Sequence, residues 1–300
     1  MEAKRLNSSC ISCITKNHLE NYPEDASEEK KLTYMQKVLK ILSEMESDES
    51  GPIMSGRIFT LQEQLFGESQ SFAEIKHTYN ELILGKEEEI FQMIQSAEDP
   101  MQKAMRFAMT GNYIDFGALS SVDNEKLEEL LMDTEQNVID PKEYENLKED
   151  LSKASTLVYL TDNCGEIVLD KLLIKILKEQ YPKLDITVIV RGEEILNDAT
   201  MKDARQVGMT ELVKVIGNGS NVAGTWLKEV SKEASDLIHQ ADVIISKGQG
   251  NFETLWGCGE NIYYMFLCKC ELFTRRFGMK QFQGILVNDK RCQEQTKERF

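Results

Sequence analysis

Residues 156–180 read TLVYLTDNCGEIVLDKLLIKILKEQ, and the order of textures in that stretch sets the fold. Thr156 to Leu160 is too apolar to show a polar face, as expected of a strand covered on both sides. Asp162-Asn163-Cys164-Gly165 turns the chain, and Glu166 to Gln180 spaces its apolar residues three and four apart, as an amphipathic helix does. The same sequence of strand, glycine-bearing turn and helix recurs downstream. Ile186 to Val190 leads into Arg191-Gly192 and, past Asn197-Asp198, a helix through Met201 to Gln206. Leu212 to Ile216 precedes Gly217-Asn218-Gly219-Ser220 and a helix from Trp226 to His239. Val243 to Ile245 runs into Ser246-Lys247-Gly248-Gln249-Gly250-Asn251, and Ile262 to Leu267 and Gly284 to Val287 supply two further strands. This alternation predicts an α/β fold, a doubly wound and mostly parallel sheet with helices on both faces.

Upstream the texture differs. Leu32 to Met45, Ile53 to Phe66, Phe72 to Ile94 and Gln102 to Met109 repeat apolar residues at helical spacing, Asp123 is placed to cap Lys126 to Met132, and Pro141 opens another helix after Asp140. Two domains are expected, a helical one over residues 1–150 and the α/β unit over residues 151–300. The charged run Lys86 to Glu89 reads as a solvated helix face, and the methionines of Met101 to Met109 as core filling.

Composition removes several functions. Across 300 residues, 35 Lys plus Arg face 51 Asp plus Glu, a net charge of −16. That charge repels nucleic-acid backbones and anionic lipid, and no basic patch offsets it. No apolar run is long enough for a membrane span, and the start shows no signal-peptide core, so a cytoplasmic protein with no membrane or nucleic-acid partner is expected. Seven cysteines, an odd number, fit reduced thiols better than a disulfide framework. Three isolated histidines leave little for a His-rich zinc site or a His-dependent triad.

In an open parallel sheet, ligands sit beyond the carboxyl ends of the strands. The polar residues fall in those loops: Asp162 and Asn163, Arg191 and Asp198, Asn218 and Ser220, Lys247 and Asn251. Carboxylates and amides without clustered His or Cys suit a hard divalent cation such as Mg²⁺ or Mn²⁺. A cation on Asp162, Asn163 and Asp198 would polarise a phosphoryl oxygen, and Lys247 with the N–H groups of Gly248 to Asn251 would add positive potential. Taken singly, each has a plainer role: Asp162, Asn163 and Asp198 as helix caps, Lys247 as a solvated lysine. Their recurrence at equivalent strand ends favours the site. Gly217 to Val222 and Gly248 to Glu253 both lack the third glycine of a dinucleotide fingerprint, and neither ends as a P-loop. Cys10-Ile11-Ser12-Cys13 is a single CxxC; Cys268-Lys269-Cys270 has the wrong spacing for its second half, so buried or inert thiols are the expectation. His239 is expected to cap the carbonyls of its helix.

Thr161 to Asp170, Arg191-Gly192 with Asn197-Asp198-Ala199, and Ile245 to Glu253 resemble the damage-control phosphatases, the family known as domain of unknown function 89. Gly111-Asn112-Tyr113-Ile114-Asp115 resembles its Gly-Asn-x-Ile-Asp segment, and the amino-terminal CxxC its prokaryotic-type branch. The resemblance implies a helical region packed on a Rossmann-like α/β/α sandwich and a phosphatase dependent on Mn²⁺, Co²⁺, Ni²⁺ or Mg²⁺. It implies that Asp162, Asn163 and Asp198 ligate the metal, that Glu166 and Lys247 line the phosphate pocket, and that Asn112 and Asp115 close over a small phosphorylated metabolite. Arg191 and Asn251 join the expected phosphate-binding set, with Asp162, Asp198 and Lys247 carrying the chemistry. Water attack on phosphorus is the preferred course, and an aspartyl-phosphate on Asp162 the other. A non-catalytic nucleotide or metabolite binder, or a carboxyl methyltransferase using S-adenosylmethionine, are the competing functions.

Overall fold

A computed structural model describes residues 8–20, 22–23, 26–67, 70–114 and 123–292. The amino-terminal half is helical: α1 Ser8–Glu20, α2 Glu28–Ser43, α3 Gly51–Phe66, α4 Gln70–Leu84, α5 Glu87–Gln95, α6 Pro100–Gly111, α7 Asn124–Met132 and α8 Pro141–Lys153. The chain then alternates through β1 Thr156–Leu160, α9 Glu166–Gln180, β2 Asp185–Val190, α10 Met201–Gln206, α11 Met209–Leu212, β3 Lys214–Gly217, α12 Lys232–Gln240, β4 Val243–Lys247, α13 Gln249–Leu255, β5 Ile262–Leu267, α14 Glu271–Phe277 and β6 Gly284–Asn288. No helix among the described residues is long and apolar enough to cross a membrane.

The strands form one sheet in the order β3-β2-β1-β4-β5-β6, parallel except for β6, which runs antiparallel to β5. Alternate residues of β1 enter separate cores, as the pleat requires. Leu157 and Tyr159 pack with α4 to α6, α8 and α9, whereas Val158 and Leu160 pack with α12 to α14. The first core contains Ile83, Met105, Leu147, Leu169 and Val188 together, so the helical half and the sheet bury their apolar surface against each other. Met101, Met105 and Met109 are all in it. The sheet order reverses between β1 and β4, which opens a crevice at their carboxyl ends.

Caps explain several boundaries. The carboxylate of Asp123 accepts from the N–H of Glu125 and Lys126, and that of Asp140 from Glu143 ahead of Pro141 at the first turn. Other boundaries differ from the sequence expectation. The segment Phe72 to Ile94 is two helices, because the chain turns at Gly85-Lys86 with Gly85 N–H on Glu81 O and Lys86 N–H on Ile83 O. That break lets Glu87 pair with Lys171 and Lys175 on α9, so Glu87 is a bridge between halves and not part of a solvated face. The helix expected from Trp226 begins only at Lys232, where the Ser231 hydroxyl caps it. Before that point Ser231 N–H is held by Asn218 O, a bond that a helix from Trp226 would break. Leu212 closes α11, and the strand expected from it starts at Lys214. His239 Nδ1 bonds Glu260 at 2.8 Å and does not cap its own helix.

A third core joins α2 and α3 through Tyr34, Val38, Ile53, Met54 and Ile58. At its edge Tyr34 Oη and His18 Nδ1 of α1 lie 2.7 Å apart, and burial pushes the His18 pKa down to about 4. The neutral ring is the folded form. Stability from it is present above the ordinary histidine pKa of about 6.5 and is lost as pH falls through about 4, a contribution of at most about 3 kcal/mol. Thermal unfolding from pH 7 to pH 4 should therefore fall less steeply in His18→Gln than in the wild type. Parallel curves would remove His18 from the acid response.

Candidate active site

The crevice between β1 and β4 gathers the loop after β1, the loop after β2 and the β4–α13 turn. Backbone bonds stitch the first two together: Ala199 N–H donates to Asp162 O at 2.7 Å and Cys164 N–H to Asn197 O at 2.8 Å, and Asn163 bridges Asp198. Residues 36 positions apart in sequence thus become neighbours at Asp162 and Asp198. Neither they nor Asn163 is a helix cap. Gly165 holds that position on α9 and Thr200 on α10, so the capping explanation fails for all three.

Arg191 lies between the aspartates, its Nε donating to Asp198 at 2.6 Å and its Nη2 to Asp162 at 3.2 Å. Its Nη1 donates to Asn251 Oδ1 at 3.1 Å. Asn251 is itself fully committed, its amide nitrogen donating to Thr161 O and Lys247 O. Arg191 and Asn251 therefore set the spacing of the loops around the two aspartates.

Behind them lies a second polar layer. Glu166 Oε2 accepts from Asn163 N–H and Nδ2 and from Asn112 Nδ2, and Asn112 also donates to Asp162 Oδ2 at 3.0 Å. Asn112 is the residue after α6, and its carbonyl oxygen accepts from Leu267 N–H at the end of β5, so the helical half contributes directly to this floor. Lys247 Nζ donates to Glu166 at 2.5 Å, Asp170 at 2.8 Å and Ala108 O at 2.9 Å. It is fully buried, which disposes of the solvated-lysine explanation. All three of its hydrogens have acceptors, so contact with a phosphate oxygen requires one of these bonds to be exchanged.

Exposure separates the layers. Asp162, Asn163 and Asp198 keep 6%, 2% and 5% of their surface, while Glu166, Asp170 and Lys247 keep none. Whatever enters the crevice meets the first three. Burial, with Asp198 and Glu166 nearby, pushes the Asp162 carboxyl well above the ordinary carboxylate range, although Arg191 and Lys269 oppose the shift. Asp170 rises to about 7, again through burial, with Lys247 opposing and Glu166 adding to it. Burial alone would lower the Lys247 pKa, but Asp170 and Glu166 outweigh it and hold the ammonium protonated.

Four buried carboxylates, Asp162, Glu166, Asp170 and Asp198, thus lie with Arg191 and Lys247 bonded among them and Lys269 near Asp162. This excess of negative charge suits a divalent cation, and the oxygen-only donor set suits a hard one. Among the described residues no three His, Cys, Asp or Glu side chains are already drawn into a cation cage, so a cation held between Asp162 and Asp198 would need the Asn163 amide oxygen as third donor.

Glycines bring the loops this close. Gly248 has φ +80°, and a Cβ there would stand 2.0 Å from Asp162 Oδ2. Asp115 lies outside the described residues. Cys10 and Cys13 sit one turn apart on α1, while Cys268 is buried and Cys270 half-buried at the end of β5. Sequence reasoning missed Asp170, which pairs with Lys247, and Asn80 and Lys76, which hold the loops after β1 and β2 from behind. Asp170 had a detectable signal, an acid on an otherwise apolar helix face one turn after Glu166.

Comparison with known proteins gives the family and the fold. A family profile described as the damage-control phosphatase ARMT1-like domain matches residues 6–284. A damage-control phosphatase of Pyrococcus horikoshii is 31% identical over 93% of this chain and 95% of its own length. Another from Archaeoglobus fulgidus is 32% identical over 80% and 84%. The crystal structure of a DUF89 family protein from Pyrococcus horikoshii superposes with a TM-score of 0.77 at 27% identity, covering 95% of this chain and 99% of that one.

Proposed function

The chain belongs to the damage-control phosphatase ARMT1-like family, and from that membership we propose that it is a divalent-metal-dependent phosphatase acting on small phosphorylated metabolites, sugar phosphates or damaged phosphometabolites. The observation that carries the reading is the pairing of Asp162 and Asn163 with Asp198 at the switch point of the sheet, each keeping a little exposure above a fully buried Glu166, Asp170 and Lys247. Asp162, Asn163 and Asp198 would hold the metal. When bound, Mn²⁺, Co²⁺, Ni²⁺ or Mg²⁺ supplies Lewis-acid polarisation of a phosphoryl oxygen.

The chain's own residues do the rest. Asn112 and the Asn163 amide nitrogen orient the Asp162 and Glu166 carboxylates. Arg191 fixes the separation of the aspartates and offsets part of their charge when the cation is lost. Lys247 offsets one of the two charges of Glu166 and Asp170, so the layer under the substrate carries less net charge against an incoming phosphate. These groups are almost wholly buried, which strengthens each of these interactions. Attack by water on phosphorus is the simplest course for such a set.

The test is phosphate release from an aryl phosphate and a panel of sugar phosphates, after chelation and with each metal restored. Activity should vanish on chelation, return with a divalent cation, and be lost in Asp162→Ala. Turnover without metal, or full activity in that variant, overturns the assignment. The charge of −16 adds a further expectation. With so much negative potential the apo protein should bind a non-hydrolysable phosphate ester at least about tenfold more weakly than the Mn²⁺ form, which calorimetry reads directly.

A further inference from the structure

Asn80 and Lys76 stand one turn apart on α4 and are almost wholly buried, yet neither touches the crevice. Asn80 Oδ1 accepts from Gly165 N–H at 2.7 Å, the last residue of the loop that carries Asp162 and Asn163. Its Nδ2 donates to Asp203 Oδ1 at 3.0 Å and Gln206 Oε1 at 2.9 Å. Asp203 in turn accepts from Thr200 N–H and Oγ1, both at 2.9 Å, which fixes the start of α10 two residues after Asp198. Lys76 completes the arrangement with Asp203 at 2.8 Å and Glu194 at 2.5 Å.

One amide therefore spans the two loops that present Asp162, Asn163 and Asp198. The amide offers an acceptor for a backbone N–H and, on a separate atom, two donor hydrogens for Asp203 and Gln206; aspartate would face Asp203 with like charge, and leucine would offer neither group. Lys76 balances Asp203, so the amide is not left beside an unpaired buried charge. We infer that Asn80, with Lys76 behind Asp203, is a positioning residue through which the helical half sets the spacing of the metal-binding loops. The inference rests on the metal-dependent reading above. Groups that orient ligands from behind typically change metal affinity by about 10- to 100-fold when removed.

The experiment is Mn²⁺ calorimetry on the full chain, stripped of metal. Asn80→Leu should weaken Mn²⁺ binding by about tenfold or more, and Asn80→Asp, which keeps the bond to Gly165 but opposes Asp203, by a smaller factor. Ile83→Val trims the buried core on the same helix without touching either loop and should bind Mn²⁺ as the wild type does. If Asn80→Leu does not fold, Asn80→Asp carries the comparison. Wild-type affinity in the Asn80 variants, or equal weakening in Ile83→Val, overturns the clamp. A wild type that binds no Mn²⁺ overturns the metal centre itself, and the clamp with it.

Discussion

Gly248→Ala should lower kcat/KM for phosphate-ester hydrolysis by about a hundredfold or more while the protein remains folded. The turn at Gly248 has φ +80° and ψ 156°, a conformation that costs a residue with a Cβ about 1–3 kcal/mol. Strain is the lesser part. The new methyl would lie 2.0 Å from Asp162 Oδ2 and 2.1 Å from Cγ, so the carboxylate has to move by more than an ångström. Asp162 is bonded to Arg191, Asn112 and Asn163, and displacing it disturbs the spacing of the whole set. The control is Gly278→Ala. Gly278 has φ +65° but nothing within 4 Å of its missing Cβ, so that variant pays backbone strain alone and should keep its activity. Equal activity in both variants would show that Asp162 is not held against this turn during turnover.

Lys247→Met should be the most destabilising single change in the site. It strips the ammonium from Glu166 and Asp170, both without solvent exposure, and breaking a buried pair from one side costs about 3–5 kcal/mol. For a chain of this size that is a fall in Tm of roughly 10 °C. Adding Asp170→Asn removes one of the stranded charges and should recover part of the loss. Lower pH should also narrow the deficit, because burial pushes the Asp170 carboxyl up to about 7 and it protonates below that. Thermal scans of the wild type, the single and the double variant at pH 6 and pH 8 measure this. A deficit that neither Asp170→Asn nor lower pH reduces would mean that the loss is one of packing rather than of charge.

The two effects differ in how much of them could be read in advance. Gly248 and Lys247 stand in a strand-to-helix turn that is visible as such in the residues themselves, because an apolar run, a lysine and alternating glycines have few other uses. That Lys247 points inward is not visible. A lysine at a strand end is ordinarily solvated, and the arrival of Glu166 and Asp170 from α9 and Ala108 O from α6 makes burial tolerable. Asn80 and Lys76 were out of reach for the same reason. Their partners lie in other elements, Gly165, Asp203 and Glu194, and in sequence they are a polar pair on an amphipathic helix like many others. Helix ends behaved similarly: local caps such as Asp123 and Asp140 were legible, whereas the late start of α12 depends on the bond from Ser231 N–H to Asn218 O.

By itself, then, the sequence determined the sheet, its parallel sense and the loops that carry Asp162, Asn163, Asp198 and Lys247, because period, turn chemistry and strand apolarity are local properties of the chain. Tertiary structure alone decided which of those polar groups meet solvent and which become the buried layer beneath them. It also decided that the helical half supplies Asn112 and Asn80 to the loops of the other half. Burial, charge pairing and hydrogen-bond satisfaction are relations between distant segments, and they come into being only when α4, α6 and α9 close over the carboxyl end of the sheet.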